Sequence, residues 1–273
     1  MESILQAIFT IFSITAIRYF VIAGVPFFLV YKLLTNWYAK SKIQTRNASL
    51  KDFKREVLQS MQTSFVFAII AYLILFTPLR RYTQLYDNIN DFPLWYLPVS
   101  LVLSLVIHDT YFYWMHRLLH HKKLFNLTHL VHHQSTNPSP WASYSFHFLE
   151  AWTEGAVLLV IVMVMPIHPS MVVWFTIVGF MINVYGHLGY EIAPKWYRNT
   201  VLFEITNTSV YHNMHHSKFK GNYGLYFRIW DRLMKTEHPD YVKDYDRIQE
   251  RRFGTKNAVA MAEVTNTDQR PLV

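Results

Sequence analysis

The 273-residue chain contains no cysteine. That absence excludes disulfides, thiolate-bound zinc, iron–sulfur clusters and a cysteine nucleophile. A metal site in this chain must therefore be built from imidazole, with carboxylate as the other available ligand type. The fourteen histidines supply imidazole in unusual abundance.

Charged residues are also scarce. They make up 16% of the chain and hydrophobic residues 52%, whereas an ordinary soluble domain carries roughly 25% charged residues. So much apolar surface indicates that lipid surrounds part of the chain. The net charge is +8, but much of the positive charge flanks apolar stretches and does not form one stripe, which argues against nucleic acid as a partner.

Four apolar regions are candidates for membrane-spanning helices, which need about 20 residues each. They lie within 4–34, 62–79, 94–115 and 152–185. The first is interrupted by Arg18 and Pro26. The last is too long for one span and breaks between Pro166 and Pro169, so we expect a helical hairpin there. These features predict an all-α, multi-pass membrane protein with about four transmembrane helices.

The basic segment 35–60 sets the expected orientation, since positively charged loops stay in the cytosol. Counting spans from this segment puts the histidine-rich regions together on the cytosolic side. We therefore expect three parts. They are a transmembrane anchor region at 1–93, a histidine-rich domain at 94–240, and a polar C-terminal tail at 241–273 that is disordered at its end.

Three histidine clusters follow the apolar regions and are the strongest functional signal in the sequence. Their members are His116, His120 and His121, then His129, His132 and His133, then His212, His215 and His216. Residues at positions i, i+3 and i+4 of a helix lie on one face, about 6 Å apart, so their imidazoles can bind the same ion. The clusters therefore predict metal binding.

Further polar residues extend the set of candidate ligands. His147 and His187 stand alone in the sequence, and each could complete the coordination of an ion. Asp109 shares a helical stripe with His116, and Glu191 follows His187 by four residues. Each carboxylate could be a ligand or could orient an imidazole. Structural roles suit the remaining histidines: His108, His168 and His238.

Eight to ten neutral imidazoles exceed the coordination number of one ion, so we expect two metal ions. Imidazole suits zinc, copper, iron and nickel, and spacing alone does not distinguish iron from zinc. Two irons with an open face towards O₂ are the sharpest hypothesis. The non-enzymatic alternative is a zinc-binding membrane protein or a metal transporter, although a transporter should hold its ligands near the bilayer midplane and these lie beyond the spans.

The motifs resemble those of the sterol desaturase and fatty acid hydroxylase superfamily, and look most like sterol C5-desaturases and C4-methyl sterol oxidases. The resemblance covers about 109–236. It rests on Asp109-Thr-Tyr-Phe-Tyr-Trp-Met-His-Arg-Leu-Leu-His-His, His129-Leu-Val-His-His, Ser143-Tyr-Ser-Phe-His-Phe-Leu-Glu, Gly186-His-Leu-Gly-Tyr-Glu, His212-Asn-Met-His-His, Gly221-Asn-Tyr-Gly and Trp230-Asp-Arg. Two positions depart from the family pattern. The family often has His-Pro at His147-Phe148, and some relatives have a second histidine near Glu191.

The resemblance implies a non-haem di-iron centre in a cytosolic, histidine-rich helical cap over four transmembrane helices. It implies O₂-dependent desaturation or hydroxylation of a C–H bond in a membrane lipid, foremost a sterol or sterol-like one, with a sphingolipid or fatty-acyl chain as the alternative. It also implies the endoplasmic reticulum of a eukaryote or the inner membrane of a bacterium.

The resemblance further implies an electron donor, either cytochrome b5 or a ferredoxin-type carrier with its reductase. Basic residues that flank the clusters could dock such an acidic carrier or could meet anionic lipid headgroups. They are Lys122, Lys123, Lys218, Lys220 and Arg228.

Overall fold

The computed structural model describes residues 3–254, which form helices joined by loops. Within that range there is no β-strand, and extended pairing is limited to isolated bridges such as the one between Lys42 and Tyr190. The all-α fold class predicted from the sequence is confirmed. In chain order the helices are α1 (Ile4–Phe28, continued by a π-helical turn at Leu29–Leu33), α2 (Thr35–Tyr38), α3 (Leu50–Phe76), α4 (Tyr96–Leu119), α5 (Leu130–His133), α6 (Phe148–Val164), α7 (Pro169–Gly186), α8 (Val201–Ile205), α9 (Ser209–Lys218), α10 (Ile229–Leu233) and α11 (Tyr241–Phe253).

Three of the described helices are long and apolar enough to cross a membrane: Ile4–Leu33, Leu50–Phe76 and Pro169–Gly186. The expectation of a multi-pass membrane protein is confirmed, with three candidate spans where the sequence suggested about four. Helix α4 is also long, but His108 and Asp109 interrupt its apolar run. The expected hairpin in 152–185 is present, because α6 ends at Val164 and α7 begins at Pro169.

Local capping determines where the principal helices begin. The Ser49 hydroxyl accepts from the Asp52 backbone while the Asp52 carboxylate accepts from the Ser49 backbone, so α3 starts with a capping box. Thr208 caps α9 by accepting from the Tyr211 backbone. Helix α9 ends at Lys218, because the next residue, Phe219, has a φ of 61° in the left-handed region that stops a helix. These ends fix the length of α9 and the residues that it contains.

The long helices pack into one apolar bundle, with α1 against α3, α3 against α6, and α4 against α7. Tyr19, Ile161 and Phe180 belong to its core. Other large apolar side chains of the same helices are exposed, such as Leu5 at 80% and Phe9 at 68%. Exposed apolar area costs about 25 cal/mol per Å² in water, and lipid removes that cost.

Helices α8, α9 and α11 form a second core, built largely from aromatic rings. Arg228 is fully buried in it. Its guanidinium lies 4.5 Å from the ring centre of Tyr241 and donates to both carboxylate oxygens of Glu237 at 2.8 Å. The sequence-based suggestion that Arg228 docks a partner is therefore wrong, because its charge is enclosed and paired.

Helix α11 occupies the start of the segment 241–273, and the expected disorder at the chain's end lies outside the described residues.

Candidate metal centre

Four elements direct histidines towards one another. The last turn of α4 carries His116, and His120 follows as its C-terminal cap. The short helix α5 and the residue before it carry the second cluster, α9 carries the third, and His187 caps the end of α7. Nine histidines are brought together in two groups. The five-histidine group is His116, His120, His129, His133 and His215, and the four-histidine group is His132, His187, His212 and His216.

Within the five-histidine group the ligand nitrogens lie within 4.8 Å of one another. The Nε2 atoms of His116 and His129 are 2.8 Å apart. The Nε2 atom of His133 lies 3.1 Å from that of His120 and 3.1 Å from that of His215. All five rings therefore direct the same nitrogen to one small volume.

The four-histidine group has the same character. The Nε2 atom of His187 lies 3.4 Å from that of His132 and 3.1 Å from that of His212. His216 Nε2 lies 3.1 Å from His212 Nε2. Two nitrogens bound to one ion at about 2.1 Å lie about 3.0–3.4 Å apart, so these spacings fit a shared metal ion.

Hydrogen bonds at the far side of the rings fix which nitrogen carries the proton. Nδ1 of His116 donates to the Tyr223 carbonyl at 2.8 Å, and Nδ1 of His187 donates to the Asn183 carbonyl at 2.9 Å. His215 Nδ1 donates in the same way at 2.7 Å, to a loop carbonyl. A neutral imidazole has one N–H and one lone pair, so Nε2 of each ring presents a lone pair. Lone pairs facing each other at about 3 Å repel unless a cation lies between them, and the donor set therefore fits a metal ion.

Burial keeps these rings neutral. It lowers the pKa of all nine histidines below the ordinary value, and neighbouring imidazoles lower most of them further. For His187 and His215 the pKa falls to about 4. Neutral imidazole is the form that binds metal, so the nine rings are in the binding form at neutral pH.

The chain is similar in sequence to a known family and to several known proteins. The family described as Fatty acid hydroxylase matches residues 101–236. Lathosterol oxidase of Homo sapiens is 29% identical over 182 residues, which is 66% of this chain and 59% of that protein. A Delta(7)-sterol 5(6)-desaturase of Gibberella zeae is 30% identical over 202 residues, which is 72% of this chain and 60% of that protein.

The chain belongs to the sterol desaturase and fatty acid hydroxylase superfamily. It spans about 60% of the length of these curated relatives. No solved structure matches it. Membership of the superfamily agrees with the resemblance recognised from the histidine motifs.

Two of the eleven candidate histidine ligands lie apart from both groups. His121 is exposed, and its Nδ1 accepts from the backbone of Lys123 at 3.4 Å. His147 caps α6, where its Nδ1 accepts from the Leu149 backbone at 3.2 Å. Both rings therefore have local roles at turns.

The two candidate carboxylates also lie outside the groups and hold neighbouring backbone. Asp109 Oδ1 accepts from the backbone of Leu225, Tyr226 and Phe227 at 3.2, 2.7 and 3.1 Å. Glu191 accepts from the Tyr185 hydroxyl at 2.7 Å and from the backbone of Ala193 at 2.9 Å. Each carboxylate positions a segment next to the histidines.

Sequence reasoning assigned no role to Glu150, yet it contacts a histidine of the five-histidine group directly. Its Oε1 accepts from His129 Nδ1 at 2.5 Å, and both side chains are buried. A carboxylate in this position fixes the tautomer of the ring and makes Nε2 more basic. The signal that could have found it is an acidic residue at the start of the otherwise apolar helix α6.

The loop 221–225 was part of the recognised motif, but its role was not predicted. Its Gly221 and Tyr223 carbonyls are the acceptors for His215 and His116. Asp231 holds the loop by accepting from the backbone of Tyr223 at 2.9 Å and Gly224 at 2.7 Å. A side chain at Gly224 would collide with the Phe227 carbonyl, 2.3 Å from an added Cβ. The loop therefore supplies the acceptors for two rings of the five-histidine group.

A cavity of about 350 Å³ adjoins the four-histidine group and is lined by α1, α3, α6 and α7. Phe146 lines it, and the centre of this ring is 5.1 Å from that of His132. Asn183, which also lines it, provides the carbonyl that accepts from His187. The cavity thus extends from the histidines into the apolar bundle.

Proposed function

We propose that this protein oxidises a C–H bond of a membrane lipid, by desaturation or hydroxylation, at a non-haem di-iron centre that uses O₂. The observation that carries the proposal is the pair of neutral histidine groups beside an apolar cavity between membrane-spanning helices. Bound iron would supply the oxidising chemistry, with O₂ as co-substrate and electrons from an external donor.

The residues of the chain would have distinct roles around that centre. The five-histidine group would hold one ion and the four-histidine group the other. The carbonyls of Tyr223, Gly221 and Asn183 hold rings in the tautomer that presents Nε2. Burial, with the neighbouring Glu154, raises the pKa of the Glu150 carboxyl in the metal-free protein. A bound cation would favour the ionised form, and Glu150 would then add one negative charge close to the five-histidine group.

The apolar cavity supports a lipid substrate, and its volume is in the range of small-molecule sites, about 300–1,000 Å³. We propose a sterol or sterol-like lipid, because the similar proteins are a lathosterol oxidase and Delta(7)-sterol desaturases. Helices α1 and α3 line the cavity together with α6 and α7. The proposed catalytic unit at 94–240 would therefore use the region 1–93 as part of its substrate site.

A sphingolipid or fatty-acyl hydroxylase is the second candidate, and the description of the matching family favours it. Feeding sterols and acyl lipids to cells that carry the gene, with product mass spectrometry, separates the two. A non-catalytic zinc protein is a third candidate, because four imidazoles suffice for a closed zinc site. Zinc alone in the purified protein, without O₂ uptake in the presence of reductant and lipid, would favour it.

We further propose that the histidine groups face the cytosol, where the basic segment 35–60 would also lie. The membrane would be the endoplasmic reticulum or a bacterial inner membrane. Four exposed lysines near the groups supply positive charge for an acidic electron donor of the cytochrome b5 or ferredoxin type: Lys122, Lys123, Lys218 and Lys220.

The replacement His132→Ala tests the proposal. It removes one imidazole from the four-histidine group, so lipid oxidation should be abolished and metal content should fall while the protein still inserts into membranes. His238→Ala is the matched control, because His238 lies outside both groups. Undiminished turnover by His132→Ala would refute the assignment.

A further inference from the structure

Six acidic side chains are buried among residues 3–254. Five of them accept hydrogen bonds from the protein: Glu56, Asp109, Glu150, Glu191 and Asp231. Glu154 of α6 is the exception. It is 8% exposed, and neither a hydrogen bond nor an ion pair within the same range reaches its carboxyl group. Buried polar groups in native proteins nearly always have a partner, so the partner of Glu154 has to come from outside the described chain.

Glu154 lines the cavity of about 350 Å³ between the long helices, together with Gly155 and Leu158 of the same helix. A ligand in this cavity could therefore contact its carboxyl group. An ionised carboxyl only accepts hydrogen bonds, and a protonated one still keeps an acceptor oxygen. In either form Glu154 can accept from the hydroxyl of a ligand that is otherwise apolar like the cavity wall.

The position of Glu154 is close to the histidines. It follows Glu150 by four residues in α6, so the two side chains share a helix face and lie about 6 Å apart. Glu150 Oε1 is in turn 2.5 Å from His129 Nδ1 of the five-histidine group. The cavity continues away from the histidines to an apolar end, where its lining includes Ile11, Leu85 and Pro169.

The other charged side chain among the lining residues, Arg18, differs from Glu154 in place and in chemistry. Its Nη1 donates to the Thr176 hydroxyl at 2.6 Å, so it already has a partner in α7. Thr176 precedes His187 by eleven residues, which is about 16 Å along the helix, so Arg18 lies partway along the cavity. A guanidinium only donates hydrogen bonds, whereas the Glu154 carboxyl can accept one, and ligand chemistry therefore distinguishes the two positions.

We propose that Glu154 accepts a hydrogen bond from the 3-hydroxyl of a sterol bound in the cavity, and that the oxidised carbon lies only a few bonds from this hydroxyl. The ring that carries the hydroxyl would lie about one helical turn from the carboxyl group that contacts His129. The rest of the sterol would extend towards the apolar end. The Delta(7)-sterol 5(6)-desaturase of Gibberella zeae is named for carbons in the same part of a sterol. The position of the oxidised carbon rests on the proposed function, whereas the binding of the hydroxyl does not.

Sterol binding to the full-length protein in lipid nanodiscs, without an electron donor, tests the proposal in the absence of turnover. The probes are lathosterol, its 3-ketone and its 3-deoxy analogue. The ketone keeps the oxygen but has no hydrogen to donate. The parent protein should bind lathosterol about threefold to tenfold more tightly than either analogue, the range for one hydrogen bond. Glu154→Met removes the acceptor and should bind all three sterols about equally.

Two further variants separate binding from structure. Glu154→Gln keeps an amide oxygen that can accept, so it should retain part of the preference for lathosterol. Thr153→Val is the matched control, because Thr153 is not among the residues that line the cavity and its hydroxyl donates to the Glu150 carbonyl of its own helix. It should bind the three sterols like the parent. Without sterol, Glu154→Met should melt no lower than the parent, because it removes a buried carboxyl group that has no partner in the described chain.

An unchanged preference in Glu154→Met would overturn the proposal, and so would a lower melting temperature of this variant without sterol, which would show that the chain itself uses the carboxyl group. Equal binding of lathosterol and the ketone by the parent would also overturn it, because the oxygen would then be held by a donor such as Arg18 or by no group. If binding behaves as expected but no sterol is oxidised, the proposed function fails and the hydroxyl site stands. If the sterol is oxidised far from its 3-hydroxyl, the inferred direction of the bound sterol is wrong.

Discussion

Replacing Glu150 by Gln isolates the contribution of one buried charge to metal binding. Glu150 accepts from His129 Nδ1 at 2.5 Å, and His129 Nε2 lies 2.8 Å from His116 Nε2. Glutamine has nearly the same shape, and its amide oxygen can still accept from Nδ1. The variant therefore keeps the hydrogen bond and removes the negative charge that a bound cation would favour on this carboxyl, whose pKa is raised by burial in the metal-free protein.

The magnitude follows from what such carboxylates contribute. Loss of a group that orients a metal-binding histidine weakens metal affinity about 10- to 100-fold, or about 1.4–2.7 kcal/mol. The new amide N–H₂ takes the place of Glu150 Oε2, a buried atom without a hydrogen-bond partner among residues 3–254. An unpaired buried donor costs about 1–3 kcal/mol of folding free energy, so the melting temperature should fall as well.

Titration of the metal-free protein with Co²⁺ measures the effect, because its absorption bands report on nitrogen ligation in each site. We expect two phases in the parent protein. In Glu150→Gln only the phase that belongs to the five-histidine group should weaken. Glu154→Gln alters the next acidic residue of α6, which is outside both groups, and should bind Co²⁺ like the parent. Equal weakening of both phases, or none, would refute the reasoning.

Three other predictions follow from the geometry. His216→Ala should lose about one of the two ions in elemental analysis, whereas His121→Ala should keep both, because only His216 belongs to a histidine group. Asp109→Ala removes the acceptor for three backbone N–H groups and should lower stability by about 1–3 kcal/mol, measured as a lower melting temperature of the metal-bound protein. In the metal-free protein burial lowers the pKa of His187 and His215 to about 4. Between pH 6.5 and 4 the unfolded chain therefore binds protons at these histidines that the folded chain does not. Each of the two histidines then lowers the free energy of unfolding by about 1.4 kcal/mol for each pH unit of acidification. The melting temperature should fall as the pH drops below 6.5, and above pH 6.5 it should not respond to these groups.

The sequence alone predicted those features of the fold and of the site that depend on local residue spacing. Spacings of three and four residues marked the three clusters, and eight of their nine members converge in the two histidine groups. The break between α6 and α7 followed from Pro166 and Pro169 in the same way. His121 illustrates where local reasoning stops. Helix α4 ends at Leu119, so the chain turns away just before this residue and leaves its ring in solvent.

Contacts between distant segments could not be read from the sequence. His116 finds its acceptor 107 positions later, in the Tyr223 carbonyl. Glu150 meets His129 only because the fold brings the start of α6 next to this ring, 21 positions earlier in the chain. In the sequence, Arg228 does not differ from the other basic residues near a cluster, whereas in the structure the aromatic core encloses it. In each case the partner is determined by packing, for which residue spacing carries no signal.

Each of the two HxxHH motifs contributes histidines to both groups, and this explains why each motif contains an adjacent pair. In the first motif, His129 and His133 join the five-histidine group while His132 joins the four-histidine group. The second motif reverses the assignment, since His212 and His216 join the four-histidine group while its middle histidine, His215, joins the five-histidine group.

Neighbouring residues on a helix point about 100° apart, so an adjacent pair can serve two ions from one turn. The pair at i and i+4 stays on one face and serves a single ion. Each motif thus gives two rings to one group and one ring to the other, and neither α5 nor α9 can complete a site alone. Both ions would depend on the packing of α5 against α9. A substitution that separates these helices should therefore release both ions together. Removal of one ring should first weaken the binding of one ion.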